Sequence, residues 1–225
     1  MYKGIDVSVH NGTIDWKAVA RQVDFAIIRA GYGKNNIDAK AVKNIQGCEE
    51  NNIPYGLYWF SYALTEDMAR SEADYVCSFA DKYSPTYPIC YDWEYDSDNH
   101  ASKNGITFNN NDRERFARAF LTRVEERGYY AMIYSNPDYL NKGFSKLVDR
   151  FDLWLALWQD SKPSRNFGIW QSSSKGTIAG ITGNVDLNYT EKEYKWEKDE
   201  IKLTEKEKTN FIKAIINVYK SYFKD

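Results

Sequence analysis

Pro88-Ile89-Cys90-Tyr91-Asp92-Trp93-Glu94 is an apolar run that ends in two acids one residue apart. Residues 89–94 read as a strand, and the polar Tyr95-Asp96-Ser97-Asp98-Asn99 that follows marks its exit from a core into a loop. Residues i and i+2 of a strand share a face, so Asp92 and Glu94 are expected side by side, their Cα atoms about 6.6 Å apart. Two acids at that spacing repel, and one of them should hold its proton to higher pH than an isolated carboxyl does.

Working outward from this run, similar strand candidates stand at 4–9, 25–30, 55–61 and 130–135, and helix candidates at about 15–22, 38–52, 65–82, 111–127 and 137–142 alternate with them. Thr65, ahead of Glu66 and Asp67, is a fitting N-cap with acids in the first turn, and Gly128 stands where the helix from 111 should stop. A βα repeat of this kind implies a parallel sheet with helices outside it. After residue 150 strands continue at 151–157, 168–172 and 183–187 with loops between them, and Gly176, Gly180 and Gly183 mark a hairpin or tight loop. Five βα units and about three more strands make eight, the number that closes a small barrel. The expected fold is therefore α/β, a single irregular TIM-like (β/α) barrel over residues 1–190. An open doubly wound sheet ranks second, because no glycine-rich nucleotide loop is present. Residues 191–225 form a charged linker and then an amphipathic helix over about 205–223, opened by Thr204-Glu205-Lys206-Glu207 and carrying Phe211, Ile212, Ile215, Ile216, Tyr219 and Tyr222 on one face. That helix could dock on the barrel or join two copies, so a monomer or a dimer through this helix is expected.

Composition narrows the function classes. The hydrophobic content of 43% and charged content of 28% describe a chain that buries a sizeable core, and a net charge of −2 argues against nucleic-acid binding. The 18 Tyr and 7 Trp lean toward carbohydrate, since their flat faces stack on sugar rings. Cys48, Cys77 and Cys90 are too few and too far apart for a disulfide framework or zinc site, and His10 and His100 are too few for a histidine relay. Asp96-Ser97-Asp98-Asn99-His100 lacks the glycine and distal Glu of a calcium loop. No metal and no cofactor are expected. No apolar run reaches membrane-spanning length, and Met1-Tyr2-Lys3-Gly4-Ile5-Asp6 does not read as an apolar signal segment, so no signal peptide is expected. The expected location is the cytoplasm of a bacterium or a phage-infected host, with action on the cell wall after release.

The working face of a β/α barrel lies at the C-terminal ends of its strands. Read there in order, the chain offers Asp6 and Ser8; Arg29 and Tyr32; Tyr58 and Tyr62; Asp92 and Glu94; Tyr134; Trp158; Gln171; and Asp186. Acids and aromatics concentrate at one end. A pair of carboxyl groups with divided protonation is what glycoside hydrolysis uses.

Gly4-Ile5-Asp6-Val7-Ser8, Ile14-Asp15-Trp16, the stretch from Phe25 through Arg29-Ala30-Gly31-Tyr32-Gly33, Tyr58-Trp59-Phe60-Ser61-Tyr62, Asp92-Trp93-Glu94, Trp154-Leu155-Ala156, Trp170-Gln171-Ser172-Ser173 and Val185-Asp186-Leu187-Asn188 together resemble the family 25 glycoside hydrolases, the Chalaropsis-type lysozymes. The resemblance covers about residues 2–190. It departs near Val9 and His10, where the family commonly has Gln or Glu, a place of peripheral substrate contact. It implies an N-acetylmuramidase of endolysin type acting on bacterial peptidoglycan, with cleavage of the β-1,4 bond between N-acetylmuramic acid and N-acetylglucosamine and retention of configuration. Glu94 matches the proton donor, Asp92 its partner, and Asp6 and Asp186 the two further acids. Two acids on one strand face favour attack by the substrate's own acetamido group, with Asp92 orienting it, over direct attack by Asp92 or Asp186. Tyr62, Tyr134, Tyr32, Tyr58, Trp158 and Gln171 are candidate sugar contacts, and Arg29 is expected to pair with one of the acids. A barrel that only binds the wall, or a chitinase-like hydrolase, are the alternatives.

Overall fold

The computed structural model describes residues 1–196 and, beyond them, Thr209, Ile212, Lys213, Ile215 and Ile216. The helix expected over 205–223 thus lies almost wholly outside the described residues. At the five described positions the backbone is helical, and Ile212, Ile215 and Ile216 are exposed.

The strands are β1 (Tyr2–Val7), β2 (Phe25–Tyr32), β3 (Asn36–Ile37), β4 (Tyr55–Phe60), β5 (Ile89–Asp92), β6 (Ala131–Ser135), β7 (Asp152–Ala156), β8 (Ile169–Gly176) and β9 (Val185–Thr190). They form one sheet of nine, ordered β1-β9-β8-β7-β6-β5-β4-β2-β3, that closes by pairing β1 with β2. Only the two-residue β3, hung on the end of β2, stands outside the ring, so eight strands make the barrel. All neighbours in the ring are parallel except β9, which runs antiparallel to both β8 and β1. Closure through an antiparallel hairpin is the irregularity that the glycines between 176 and 183 announce.

The helices α1 (Trp16–Val19), α2 (Ala41–Glu50), α3 (Glu66–Ala80), α4 (Tyr95–Lys103), α5 (Asn110–Glu126) and α6 (Pro137–Tyr139) lie outside. Helix α3 starts where Thr65 Oγ1 accepts the Met68 N–H at 3.1 Å, and it turns Ala69, Ala73, Val76 and Ala80 inward at spacings of three and four. Helix α5 starts on Asn109, whose Oδ1 accepts from Asn111 and Asp112, and ends before Gly128 at φ 80°. Helix α4 has no counterpart in the expected elements. Its sequence is polar, and only Ser97 and Ala101 are buried in it.

Strand alternation divides the core in two. Ile5, Val7, Ile28, Leu57, Tyr91, Ile133 and Leu155 face the helices, whereas Phe25, Ile27, Cys90, Met132, Trp154 and Ile169 fill the barrel. At the N-terminal end the filling is aromatic. Phe25 stacks on Tyr87 at 4.8 Å, and Tyr194, arriving after β9, packs on Tyr87 and Tyr130. Tyr194 OH donates to Asp152 at 2.8 Å, and Trp196 Nε1 donates to the Gly128 carbonyl at 3.0 Å. Moving toward the C-terminal end, the same inward positions become polar: Asp6, Arg29, Asp92, Gln171 and Asn188. The apolar floor is what allows acids to be held above it.

Candidate active site

Four acids meet at the polar end. Asp6 on β1 and Asp186 on β9 are direct cross-strand partners, which places their side chains on one face within about 5.5 Å at Cβ. Asp92 ends β5, where the ladder also ends, because Tyr95 already begins α4. Glu94 keeps an extended backbone (φ −131°, ψ −173°), so it still projects to the side of Asp92 although it is no longer in the sheet. Its N–H donates to Ser97 Oγ at 3.2 Å, which fixes it at the helix start. Trp93 points the other way and is buried against Phe108 and Phe116.

Asp92 and Glu94 act on each other's protonation, and the nearby Glu94 helps hold the proton on Asp92. Burial, and after it the neighbouring Glu94 and Asp6, pushes Asp92 well above the usual carboxylate range. Burial, then Asp186 and Asp96, raises Glu94. Asp92 is only 4% exposed and its Oδ1 meets no donor, whereas Glu94 is half-buried at the cleft. Asp92 is placed to store the proton, and Glu94 to deliver it. Asp6 is pushed up to about 8 by burial and by Asp186, against the pull of two donors. Asp186 is raised to about 6 by burial.

A hydrogen-bonded chain positions Asp6. Its Oδ2 accepts from Gln171 Nε2 at 2.9 Å and Asn188 Nδ2 at 2.8 Å. Asn188 Oδ1 accepts the Trp154 indole N–H at 2.7 Å, while Gln171 Oε1 accepts from Tyr134 OH at 3.2 Å and Trp158 Nε1 at 3.1 Å. Gln171 thus ties Asp6 to Tyr134 and Trp158, with one of its two amide N–H groups committed to Asp6. Tyr134 is likewise buried, edge-on to Trp154 at 4.7 Å, and its hydroxyl is engaged. Tyr58 packs edge-on to Trp154 at 6.0 Å, with its phenol raised by burial and by Asp6.

Arg29 differs from expectation. Its guanidinium pairs with Asp38, at 2.6 Å from Nη2 and 2.7 Å from Nε, and not with any of the four acids. Asp38 comes back from β3 onto β2, donating its N–H to the Ala30 carbonyl at 2.9 Å, and so reaches Arg29 first. Arg29 acts on Asp92 only through space, where its charge opposes the upward shift. The local cause is a bulge in β2 between Arg29 and Gly31, where a Cβ on Gly31 would collide with Asn36 and Trp59.

The rim is aromatic. Tyr32, 38% exposed, stands edge-on to Tyr62 at 6.4 Å, and Trp158 is 62% exposed with only its indole N–H tied down. Residue-type reasoning overlooked Asn188 and Asp38, and it set His100 aside although α4 brings that ring to 4.8 Å from Tyr62. Asn188 stood within a quoted motif, and its distance of two from Asp186 was the signal that it faces the barrel. Among the described residues, no group of three or more His, Cys, Asp or Glu is arranged to hold a metal ion, and no helix is long and apolar enough to cross a membrane.

A sequence model of the Glycosyl hydrolases family 25 matches residues 5–181. The chain belongs to that family. Its fold is shared with other members: the modular autolysin LytC of Streptococcus pneumoniae, solved with a synthetic peptidoglycan ligand, superposes with a TM-score of 0.72 at 28% identity, over 83% of this chain and 46% of that one. The chain thus spans less than half of that modular protein. The uncharacterized protein YegX of Escherichia coli O6:H1 is 28% identical over 196 residues, 82% of this chain and 68% of that one. Lysozyme M1 of Streptomyces globisporus is 26% identical over 199 residues, 83% of this chain and 66% of that one. As a family 25 barrel, the chain carries its acids on β1, β5 and β9, together with Glu94 just beyond β5.

Proposed function

We propose that the protein is a peptidoglycan hydrolase, an N-acetylmuramidase that cleaves the β-1,4 bond between N-acetylmuramic acid and N-acetylglucosamine with retention. The observation that carries this is the placement of Asp92 and Glu94 on one side of the cleft, each with its pKa raised, while Asp6 and Asp186 face each other from the paired strands β1 and β9. Family membership and the peptidoglycan ligand in the LytC structure support the substrate class.

A sugar oxygen is a poor leaving group until it is protonated, and Glu94, half-buried with a raised pKa, is the donor. A carboxylate nucleophile and an acid stand on opposite sides of a glycosidic bond, whereas Asp92 and Glu94 leave one strand end on the same side. Asp92 therefore serves the acetamido group of the substrate: its carboxyl accepts the amide N–H, and the acetamido oxygen attacks the anomeric carbon as the bond to the leaving oxygen breaks. The cyclic intermediate is then opened by water, with Glu94 now acting as base. Asp186, the more readily ionised of the facing pair, supplies negative charge near the oxocarbenium-like centre, with the protonated Asp6 beside it.

Wild type and Glu94→Gln on purified cell walls test this, with the new reducing sugar identified. Muramic acid ends are expected from wild type, and a loss of about a hundred- to ten-thousand-fold from the variant. Lysis by Glu94→Gln at a near-normal rate refutes the role of Glu94. Glucosamine ends, or preferred cleavage of chitin, refute the bond assignment. A glycosyl ester trapped on Asp92 or Asp186 refutes acetamido attack.

A further inference from the structure

One buried acid has no part in the chemistry above. Glu72, on α3, is 2% exposed among Ala69, Ala73 and Val76. Isolated carboxylates are expensive to bury, and a leucine or methionine would fill this helix position without that cost. Burial does push Glu72 up to about 7, against the pull of its two donors.

Those donors belong to one short segment. Ser61 Oγ donates to Glu72 Oε2 at 2.6 Å, and the Tyr62 backbone N–H donates to Glu72 Oε1 at 3.0 Å. Strand β4 has already ended at Phe60, so no neighbouring strand receives the Tyr62 N–H, and the carboxylate takes the place of a ladder partner. Ser61 is fully buried, its Oγ also accepts the Ala63 N–H at 3.3 Å, and its own N–H donates to the Asp92 carbonyl at 2.8 Å. One carboxylate thus organises the backbone from 61 to 63, beside Asp92. The ring carried by that segment reaches the cleft wall, at 5.1 Å from Phe60, 6.4 Å from Tyr32 and 4.8 Å from His100.

We propose that Glu72 is a positioning residue for substrate binding: it locks residues 61–63 and thereby sets where the Tyr62 ring meets a sugar of the glycan. This rests on the reading that the cleft holds a peptidoglycan strand. Glu72 touches neither substrate nor reacting atoms, so its removal weakens binding and leaves the chemical step alone.

The test uses the full chain, a soluble fragment of purified peptidoglycan, and hydrogen exchange at the Tyr62 amide. Glu72→Gln keeps the shape but offers only one acceptor oxygen. It should raise KM about tenfold, equivalent to about 1.4 kcal/mol, with kcat within about twofold of wild type. Ser61→Ala, a gentler change, should move KM the same way by less. In a Tyr62→Ala background Glu72→Gln should add nothing further, because the group it positions is gone. Exchange at the Tyr62 amide should accelerate in Glu72→Gln. Additive effects in the double variant, a loss confined to kcat, or unchanged exchange each overturn the proposal. A wild-type protein that leaves peptidoglycan intact while the exchange still responds to Glu72→Gln overturns the glycan reading and leaves the lock on Tyr62 standing.

Discussion

Replacing Asp6 by Asn should make the protein more stable, and the structure gives the size of the gain. Asp6 is 7% exposed and its carboxyl is pushed from an ordinary 3.8 up to about 8. Below about pH 4 the folded and unfolded chains both keep this proton, and the group contributes nothing. Between those two values the unfolded chain has released the proton while the folded one retains it, so stability falls as pH rises, by up to about 1.4 kcal/mol per unit. From pH 4 to pH 7 the ceiling is about 4 kcal/mol, and sharing of protons with Asp186, Asp92 and Glu94 reduces it to about 2 kcal/mol. The side-chain oxygen of Asn at position 6 can take over the bonds from Gln171 and Asn188, and its amide turns toward Asp186, replacing repulsion by attraction. Denaturant unfolding of both proteins at pH 4 and pH 7 measures the difference. Equal stability at pH 4 and an advantage of about 2 kcal/mol for Asp6→Asn at pH 7 are expected. Parallel stability curves across that pH range refute the reasoning, because they mean that Asp6 titrates alike in both states.

Three further outcomes follow from the same geometry. Asp186 raises Glu94 by like-charge repulsion; since the acid form of Glu94 is the active one, activity is lost as pH rises through its pKa, and Asp186→Asn should move that limb of the pH–rate profile to lower pH. An unmoved limb in the residual activity disproves the coupling. Trp158→Ala removes an exposed ring face and should raise KM about three- to tenfold while shifting Tm by less than about 2 °C, as kinetics and calorimetry on one preparation can check. Tyr194→Ala empties the aromatic floor and should lower stability by about 3–5 kcal/mol in urea, with KM unchanged because the cleft lies at the opposite end.

Much of the barrel was legible because its strands are short apolar runs with an alternating demand: Ile89 and Tyr91 answer to helices, Cys90 and Asp92 to the interior. Helix α4 was illegible for the opposite reason. Tyr95 to Lys103 shows no apolar period, and the helix owes its start to Ser97 tying the Glu94 backbone. The side-by-side placement of Asp92 and Glu94 was readable from their spacing, although the sheet releases the chain at Asp92. Partners were harder to read than positions. Arg29 lies at the expected strand end, yet Asp38, brought back by a two-residue strand that leaves almost no pattern, captures it. Gln171 shows its residue type but not that its amide links Asp6 to Tyr134 and Trp158.

The antiparallel β9 has a practical consequence. It returns the chain to the end of the barrel where β1 begins, and Trp196 lies there against the Thr86 and Gly128 carbonyls. Met1 and Trp196 therefore mark the same face, the one turned away from the acids. Anchoring the protein to a bead or biosensor surface through a residue of this face should leave the acid-lined mouth pointing outward, open to a substrate as large and rigid as a wall fragment.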